Sequence, residues 1–436
     1  MSQYYRVYPA LLNALNIRHT YEFFHLLNLL FASSILVISY IWLYNIYKNS
    51  YLAILAPILI LLTPRFIGHV PANPKDPPFA IVYFAGLASI YFSSYLKNRD
   101  LEIILLGVIF GLVQSFRIVG ISIYAIYILW LLIEKVEKEY LLNIRNWKNN
   151  KLLFLKELLY ENLSELILIF IVANFIMVLT WPYIAVNYFH NFPQIFLDSK
   201  SFNFWDKPYL YMGEYITINS RPWHYLPLLI FITTPFFIII GFILGMYSFA
   251  SYSKKDTSLF TKIKLYKTLF LLLTTLLINF FVYLVIKPTI YNGIRHYLFL
   301  IPTISFTAAL GFIEFYRKNS ISNKNETLLS KDLGHTTINK IFRKTYFIII
   351  AACVISVFFT INQMKNLHPY EYIYFNELIG GVRNANNKFE IDYYGASYKE
   401  AVEWINNNLE VNARVYTCNN SFAVEYYLRK DLERAL

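Results

Sequence analysis

Charged residues are scarce in this chain, and their scarcity limits the class of protein it can be. Only 15% of its 436 residues are charged, whereas 57% are hydrophobic and 19% are aromatic. An ordinary soluble domain has about 25% charged residues. The composition therefore excludes a soluble globular protein and predicts an all-α protein that crosses a membrane several times.

The chain also has little of what metal, redox and nucleotide sites require. Its two cysteines, Cys353 and Cys418, are too few for a disulfide framework or a cysteine metal site. The segments predicted to face outward contain no phosphate-binding loop, dinucleotide fingerprint, zinc-spaced histidine pair or serine elbow. No cofactor and no set of metal ligands is predicted, and a divalent metal stays an open alternative.

The formal net charge of +12 does not indicate nucleic-acid binding, because the basic residues lie mainly in short loops between apolar runs. Three loops, 135–160, 251–267 and 317–344, are rich in Lys and Arg. Each is separated from the next by two apolar runs, so all three lie on one side, which the positive-inside rule makes cytoplasmic. The other connecting segments then face outward: 64–76, 187–222, 287–295 and everything after 364.

Apolar runs of about 20 residues are long enough to cross a bilayer. They predict ten transmembrane helices, approximately at 23–47, 51–65, 77–96, 101–116, 118–134, 163–186, 223–248, 266–286, 296–316 and 345–363.

Three domains follow from this pattern. Residues 1–22 are expected to be the remainder of a first outer loop, and 23–363 form the transmembrane domain. The region 364–436 is more polar and is expected to stop before its fold is complete. Helical spacing over 398–408 and strand-like alternation over 413–418 predict a small outer α/β unit there.

One outer segment, 64–76, concentrates proline, glycine and polar side chains. Proline fixes φ and glycine permits unusual backbone geometry, so an ordered turn is predicted between two spans. Its last two residues, Lys75 and Asp76, supply a cation and a carboxylate at head-group depth. Arg117 lies between two apolar runs with no loop to solvate it, so a partner or ligand is expected there.

Ionisable side chains gather near the outer ends of the predicted spans, whereas a transporter usually keeps charges near the midplane. The pattern favours a substrate anchored in lipid with its polar head at the outer face. An activated sugar would arrive there on a polyprenyl phosphate, whose leaving phosphate Lys and Arg stabilise. The acceptor hydroxyl needs a carboxylate base, and Asp76 is the candidate for that base or for a helper to it.

Several segments, in this order, resemble those of bacterial glycosyltransferase family 39 proteins, relatives of the dolichyl-phosphate-mannose protein mannosyltransferases. They are 63–66 (TPRF), 68–69 (GH), 73–76 (NPKD), 221–227 (RPWHYLP), 293–298 (GIRHYL) and 368–377 (HPYEYIYFNE). The resemblance covers most of the chain and implies the C-type membrane glycosyltransferase fold.

The resemblance implies a multi-pass transferase of the bacterial inner membrane, with its active site facing the periplasm. It would move a sugar from a polyprenyl phosphate to a protein, lipid or glycan of the cell envelope. The donor-phosphate ligands that the resemblance implies are Lys75, Arg295 and His296. Arg117 is added as a fourth candidate because its unsolvated charge needs a partner or ligand. The implied substrate groove contains His69, Asn73, Arg221 and His224, and Asp76 would lie near the acceptor.

One departure from the family concerns the catalytic base. The family carries an acidic pair in its first outer loop, whereas residues 1–22 contain Glu22 alone. No residue is therefore assigned as the main base. A transporter or flippase of lipid-linked sugar and an inactive membrane scaffold remain the alternative functions, and the sequence leaves the sugar and the acceptor open.

Overall fold

A computed structural model describes residues 20–141, 151–200, 208–218, 220–251, 259–329, 336–417 and 421–435. Nearly all of the predicted loop remainder, 1–22, lies outside the described residues.

Most of the described chain is helical. The helices of the apolar region are α1 (Thr20–Tyr47), α2 (Ser50–Ala53), α3 (Leu55–Leu61), α4 (Pro64–Ala72), α5 (Asp76–Ser93), α6 (Arg99–Phe116), α7 (Ser122–Leu141), α8 (Lys151–Thr180), α9 (Pro182–Val186), α10 (Tyr188–Lys200), α11 (Tyr225–Thr233), α12 (Phe236–Ala250), α13 (Leu259–Ile286), α14 (Ile301–Leu329) and α15 (Thr336–Leu367). Short 3₁₀ turns lie at Ile118–Ile121, Arg295–Leu300, Glu371–Ile373 and Glu377–Ile379. Strands β1 (Tyr209–Tyr211) and β2 (Glu214–Ile216) form an antiparallel hairpin.

Six helical segments in the described residues are long and apolar enough to cross a membrane. They are Phe23–Tyr47, Ile118–Lys138, Lys156–Thr180, Ile263–Ile286, Arg295–Lys318 and Tyr346–Leu367. Two bent helix pairs raise the count to eight if each pair is one span. The predicted spans 77–96 and 101–116 are the helices α5 and α6, which are not among these eight, so the count of ten is not confirmed.

The two bent pairs contain breaks that the predicted spans 51–65 and 223–248 did not mark. The segment Ser50–Leu61, which covers α2 and α3, is bent by 67° relative to α4, and α11 is bent by 115° relative to α12. Proline follows the extended residue at each break: Pro64 after Thr63, and Pro235 after Thr234. Proline disfavours helical backbone in the residue before it, which explains why both helices end there.

The predicted turn over 64–76 is largely wrong, because α4 occupies Pro64–Ala72. Pro64 stands at the first helical position, where its missing N–H costs no hydrogen bond. Only residues 73–75 form the turn that leads into α5. Gly68 lies where α4 meets the 3₁₀ turn at Glu371–Ile373.

A polar layer lies at the end of α5 farthest from Asp76. Ser94 directly follows α5, and its hydroxyl donates to Glu134. Lys267 Nζ also lies 3.0 Å from a carboxylate oxygen of Glu134. Since α5 has 18 residues, this layer and Asp76 are about 27 Å apart along the helix. The protein therefore has a polar group of side chains at each end of α5.

The C-terminal region contains a small α/β unit. A short helix, α16 (Gly381–Ala385), precedes this unit, whose elements are α17 (Tyr398–Asn408), β3 (Arg414–Tyr416), α18 (Ser421–Tyr427) and β4 (Glu433–Ala435). Strands β3 and β4 pair in parallel, and Val402, Val415 and Val424 form a separate apolar core. The helix predicted over 398–408 and the strand predicted within 413–418 are both present.

Candidate functional site

Asp76 begins α5 and is nearly inaccessible, with 2% of its surface exposed. Asn73 holds it in place. The Asn73 Oδ1 atom accepts hydrogen bonds from the backbone N–H groups of Lys75 and Asp76, each at 3.1 Å. The Asn73 Nδ2 atom donates to Asp76 Oδ2 at 2.7 Å. A buried carboxylate needs more than one such donor if it is to remain ionised.

Arg117 supplies the charge that pairs with Asp76. It lies in extended backbone between α6 and the following 3₁₀ turn, and its Nη2 forms an ion pair with Asp76 Oδ1. Burial alone would raise the pKa of Asp76, but Arg117, followed by His296 and Arg295, lowers it to about 2. The partner expected for Arg117 is therefore Asp76, and the carboxylate is ionised at neutral pH.

Positive charge exceeds negative charge around Asp76. Arg117, Arg295 and Lys75 all interact electrostatically with one another or with Asp76, and His296 lies among them. Lys75 is exposed, yet desolvation and then Arg117 lower its pKa. We call Lys75, Asp76, Arg117, Arg295 and His296 the charge cluster. Its excess of cations is suited to an anionic ligand.

The backbone before Arg295 presents this residue to the cluster. Asn292 and Gly293 have positive φ values of 58° and 66°, and they turn the chain into the 3₁₀ segment. The Arg295 guanidinium lies 4.7 Å from the centroid of the Tyr291 ring, a cation–π distance. Among the described residues, the buried Nε atoms of Arg295 and Arg117 have no hydrogen-bond partner. Both guanidinium groups therefore retain a donor.

His69 and Asn73 are joined to the C-terminal region by residues that the sequence prediction missed. His69 Nε2 lies 2.9 Å from the Tyr393 hydroxyl. Arg65 Nη1 donates to the same hydroxyl at 3.2 Å, and its Nε and Nη2 donate to the Tyr374 carbonyl oxygen at 3.2 and 3.0 Å. No local sequence signal indicates this contact, because it joins positions more than 300 residues apart.

Arg221 and His224 belong to a neighbouring aromatic cluster rather than to the charge cluster. The Arg221 guanidinium lies 5.2 Å from the centroid of the Tyr283 ring. The Tyr211 hydroxyl lies 2.7 Å from His224 Nδ1. His69 and Asn73 thus bond to residues of the C-terminal region and the charge cluster, whereas Arg221 and His224 contact aromatic side chains. Their shared role in a substrate groove stays a prediction.

Glu390 lies between the two clusters and is predicted to make stability depend on pH. Burial raises its pKa to about 7, although Asn292, Arg295 and Gly293 favour its charged form. An unfolded glutamate titrates near pH 4.3, so the folded state holds the proton more tightly. Stability is therefore expected to fall as pH rises from about 4.5 to 7. Thermal unfolding in detergent across this range measures the slope.

The variant Glu390→Gln should flatten that slope, because glutamine does not titrate. The matched control is Glu410→Gln, which changes an exposed carboxylate in the same region and should keep the wild-type slope. Equal slopes for wild type and Glu390→Gln would contradict the assignment.

These observations define a helical membrane protein with six to eight candidate spans and a charged cluster at one end of α5. The sequence matches none of the family profiles and none of the curated proteins with which it was compared. Among solved structures it is similar to the archaeal oligosaccharyltransferase AglB from Archaeoglobus fulgidus, determined in complex with an inhibitory peptide and a dolichol-phosphate. The TM-score is 0.37 at 12% identity, covering 94% of this chain and 49% of that chain.

This chain thus spans about half the length of that structure. At this TM-score the similarity assigns neither a fold family nor a function. Membership of glycosyltransferase family 39, the orientation in the membrane and the roles of the site residues all stay predictions. Within the described residues, no three His, Cys, Asp or Glu side chains lie together as a metal site would require.

Proposed function

We propose that this protein is a membrane glycosyltransferase that takes a sugar from a polyprenyl phosphate at the outer face of the membrane, in bacteria the periplasmic face of the inner membrane. The observation that carries the proposal is the charge cluster. Three cationic side chains surround one ion-paired carboxylate, and two of them, Arg117 and Arg295, keep a buried donor without a partner among the described residues. Such a site binds an anion with several oxygen acceptors, as a phosphate has.

The charge cluster is suited to the reaction because negative charge grows on the phosphate. The donor is a phosphodiester with one negative charge, and the departing polyprenyl phosphate carries up to two. The acceptor oxygen bonds to the anomeric carbon as the bond from that carbon to the phosphate oxygen breaks. Cations fixed beside the phosphate therefore bind the transition state more tightly than the donor, which accelerates transfer.

Asp76 is better suited to holding Arg117 than to accepting the proton of the acceptor hydroxyl. Its pKa of about 2 makes it a weak base, and one of its oxygens is already paired with Arg117. A general base works best with a pKa near the operating pH. We therefore assign Asp76 to orienting Arg117, and the base stays unassigned.

An apolar groove is the proposed place for the prenyl chain of the donor. The groove lies between α7 and α8 and has a volume of about 380 Å³. Its lining is apolar apart from one hydroxyl: Ile121, Tyr124, Ile128, Leu166, Ile167 and Phe170. Ile121 follows Arg117 by four residues, and the proposed path of the prenyl chain runs from the phosphate site to this groove.

The test of this function is release of polyprenyl phosphate from labelled polyprenyl-phosphate sugars by the purified protein in proteoliposomes. A panel of hexose and pentose donors is needed, because the sugar is not specified. We expect release from at least one donor with wild-type protein and a large loss with Arg117→Gln. Equal release by wild type and Arg117→Gln across the panel would contradict the proposal.

Lys75→Ala is expected to weaken binding of farnesyl phosphate by about tenfold, the size of one lost charge-assisted hydrogen bond. Farnesyl phosphate is a short polyprenyl phosphate without a sugar, so its titration into purified protein isolates the phosphate contact. Lys97→Ala, which changes an exposed lysine just beyond the opposite end of α5, is the control and should bind as wild type does. Unchanged binding by Lys75→Ala would remove Lys75 from the site.

A transporter of lipid-linked sugar is the second candidate, and one buried polar group favours it. The Tyr83 and Ser122 hydroxyls lie 2.8 Å apart, Ser122 donates to Asn279 Oδ1 at 3.1 Å, and Asn279 Nδ2 donates to Tyr83 at 2.9 Å. These three polar side chains lie together among the apolar helices, where a transporter would place the polar groups of its path. Movement of the intact donor across proteoliposomes, without release of polyprenyl phosphate, would support the transporter instead.

A further inference from the structure

The Tyr393 hydroxyl is the outer end of a chain of hydrogen bonds that runs to Asp76. From Tyr393 the chain passes to His69 Nε2 at 2.9 Å, from His69 Nδ1 to Asn73 Nδ2 at 3.4 Å, and from Asn73 Nδ2 to Asp76 Oδ2 at 2.7 Å. It ends at the Asp76–Arg117 ion pair. The chain therefore connects the C-terminal region to the charge cluster.

The orientation of Asn73 fixes the direction of every bond in this chain. Its Oδ1 atom accepts from two backbone N–H groups, so Nδ2 must be the atom that faces both His69 and Asp76. Because Nδ2 is a donor, His69 Nδ1 has to accept, and the proton of the neutral imidazole is then on Nε2. His69 therefore donates to the Tyr393 hydroxyl.

Protonation of His69 would place two donors face to face, at His69 Nδ1 and Asn73 Nδ2. The chain therefore requires a neutral His69. Arg65 Nη1 also donates to the Tyr393 hydroxyl, at 3.2 Å, so this one oxygen accepts from both Arg65 and His69. Removing it leaves two donors of α4 without their acceptor.

We propose that Tyr393 is a positioning residue of the transfer site, which holds the Asp76–Arg117 pair in place through His69 and Asn73. The inference rests on the proposed function, because Arg117 is taken there as a ligand of the leaving phosphate. Tyr393 lies outside the apolar helices and more than 270 residues from Arg117 in sequence. In this proposal the C-terminal region contributes Tyr393 to the transfer site.

The first test is a double-mutant cycle on thermal unfolding in detergent, with Tyr393→Phe, Asn73→Ala and the two combined. This test needs no ligand. If this series of hydrogen bonds exists, the shift in unfolding temperature for the combined variant should be smaller than the sum of the two single shifts. Additive shifts would overturn the proposal whatever the protein catalyses.

The second test separates positioning from a merely structural role. In the release assay, Tyr393→Phe should lower kcat by about tenfold, as loss of an orienting hydrogen bond does at other sites. The Kd for farnesyl phosphate should change less than about threefold. The position of Arg117 affects the transition state, in which the phosphate gains charge, more than it affects ligand binding. Tyr188→Phe removes a hydroxyl that bonds to Asn174 at 2.8 Å in another part of the fold and is the matched control.

The outcomes distinguish this proposal from the proposed function. A Tyr393→Phe variant whose kcat equals that of Tyr188→Phe would overturn the positioning role, even with a coupled unfolding cycle. Wild-type protein that releases no polyprenyl phosphate from any donor would overturn the proposed function, and with it the positioning role. The unfolding cycle would in that case still decide whether the chain of hydrogen bonds exists.

Discussion

Arg117→Gln is expected to lower the rate of sugar transfer by about a hundredfold or more, comparable with losing a main electrostatic group of an active site. It should also destabilise the protein by about 3 kcal/mol. Asp76 is 2% exposed and would remain buried without its cation. Breaking a buried ion pair from one side is costly because the remaining charge cannot reach water.

A double variant separates the two effects of Arg117→Gln. When Asp76→Asn is added, both charges disappear and the substituted side chain keeps nearly the same shape. Much of the lost stability should return, since no buried charge remains, whereas transfer should stay low because the guanidinium is still missing. Unfolding temperature and release of polyprenyl phosphate measure the two effects. Recovery of transfer in the double variant would show that Arg117 serves the fold alone.

Gly68→Ala is expected to be the second severe substitution, with a loss of about 3 kcal/mol in stability. A Cβ atom on Gly68 would lie 2.6 Å from the carbonyl carbon of Glu371 and closer still to the backbone nitrogen of Tyr372. Backbone atoms cannot rotate away as a side chain can. The 3₁₀ turn at Glu371–Ile373 would therefore have to move off α4.

Separation of α4 from the 3₁₀ turn at Glu371–Ile373 should also lower the rate of sugar transfer. Arg65, on the same helix, bonds to the carbonyl oxygen of Tyr374 and to the Tyr393 hydroxyl. Limited proteolysis should cut the segment after α15 faster in Gly68→Ala than in wild type. Ile67→Val, a smaller change at the adjacent position, is the control. Wild-type cleavage and unfolding temperature in Gly68→Ala would contradict this contact.

The apolar spans could be predicted from the sequence because a hydrophobic run reports directly on the environment of a helix. The positions of the breaks within two of these spans could not be predicted. Pro64 and Pro235 are compatible with a kink, a turn or a helix start. Which of these occurs depends on packing, such as the hydrogen bonds from Asn376 Nδ2 to the carbonyl oxygens of Phe231 and Thr234 at the second break.

Part of the site was also predictable. Lys75, Asp76, Arg295 and His296 were singled out because they lie at the outer ends of apolar runs, in segments that resemble a known family. Arg117 was singled out because an unsolvated charge between apolar runs is costly unless it is paired or bound. The structure brings all five together, although their roles stay predictions.

Tyr393 and Arg65 were missed for a physical reason. A tyrosine in a polar tail is ordinary in sequence, and an arginine beside a proline at the end of an apolar run is most simply an interfacial anchor. Their importance arises from a contact between positions more than 300 residues apart. Periodicity and composition report local structure and do not reveal such a pairing.

Binding of farnesyl phosphate, compared with farnesol, tests the central claim most directly. The two ligands share a prenyl chain and differ in the phosphate, and neither requires the sugar or acceptor to be known. Titration into purified wild-type protein should show saturable binding of farnesyl phosphate that weakens as salt is added, and much weaker binding of farnesol. Equal affinity for both ligands would contradict a phosphate site at Lys75, Arg117 and Arg295.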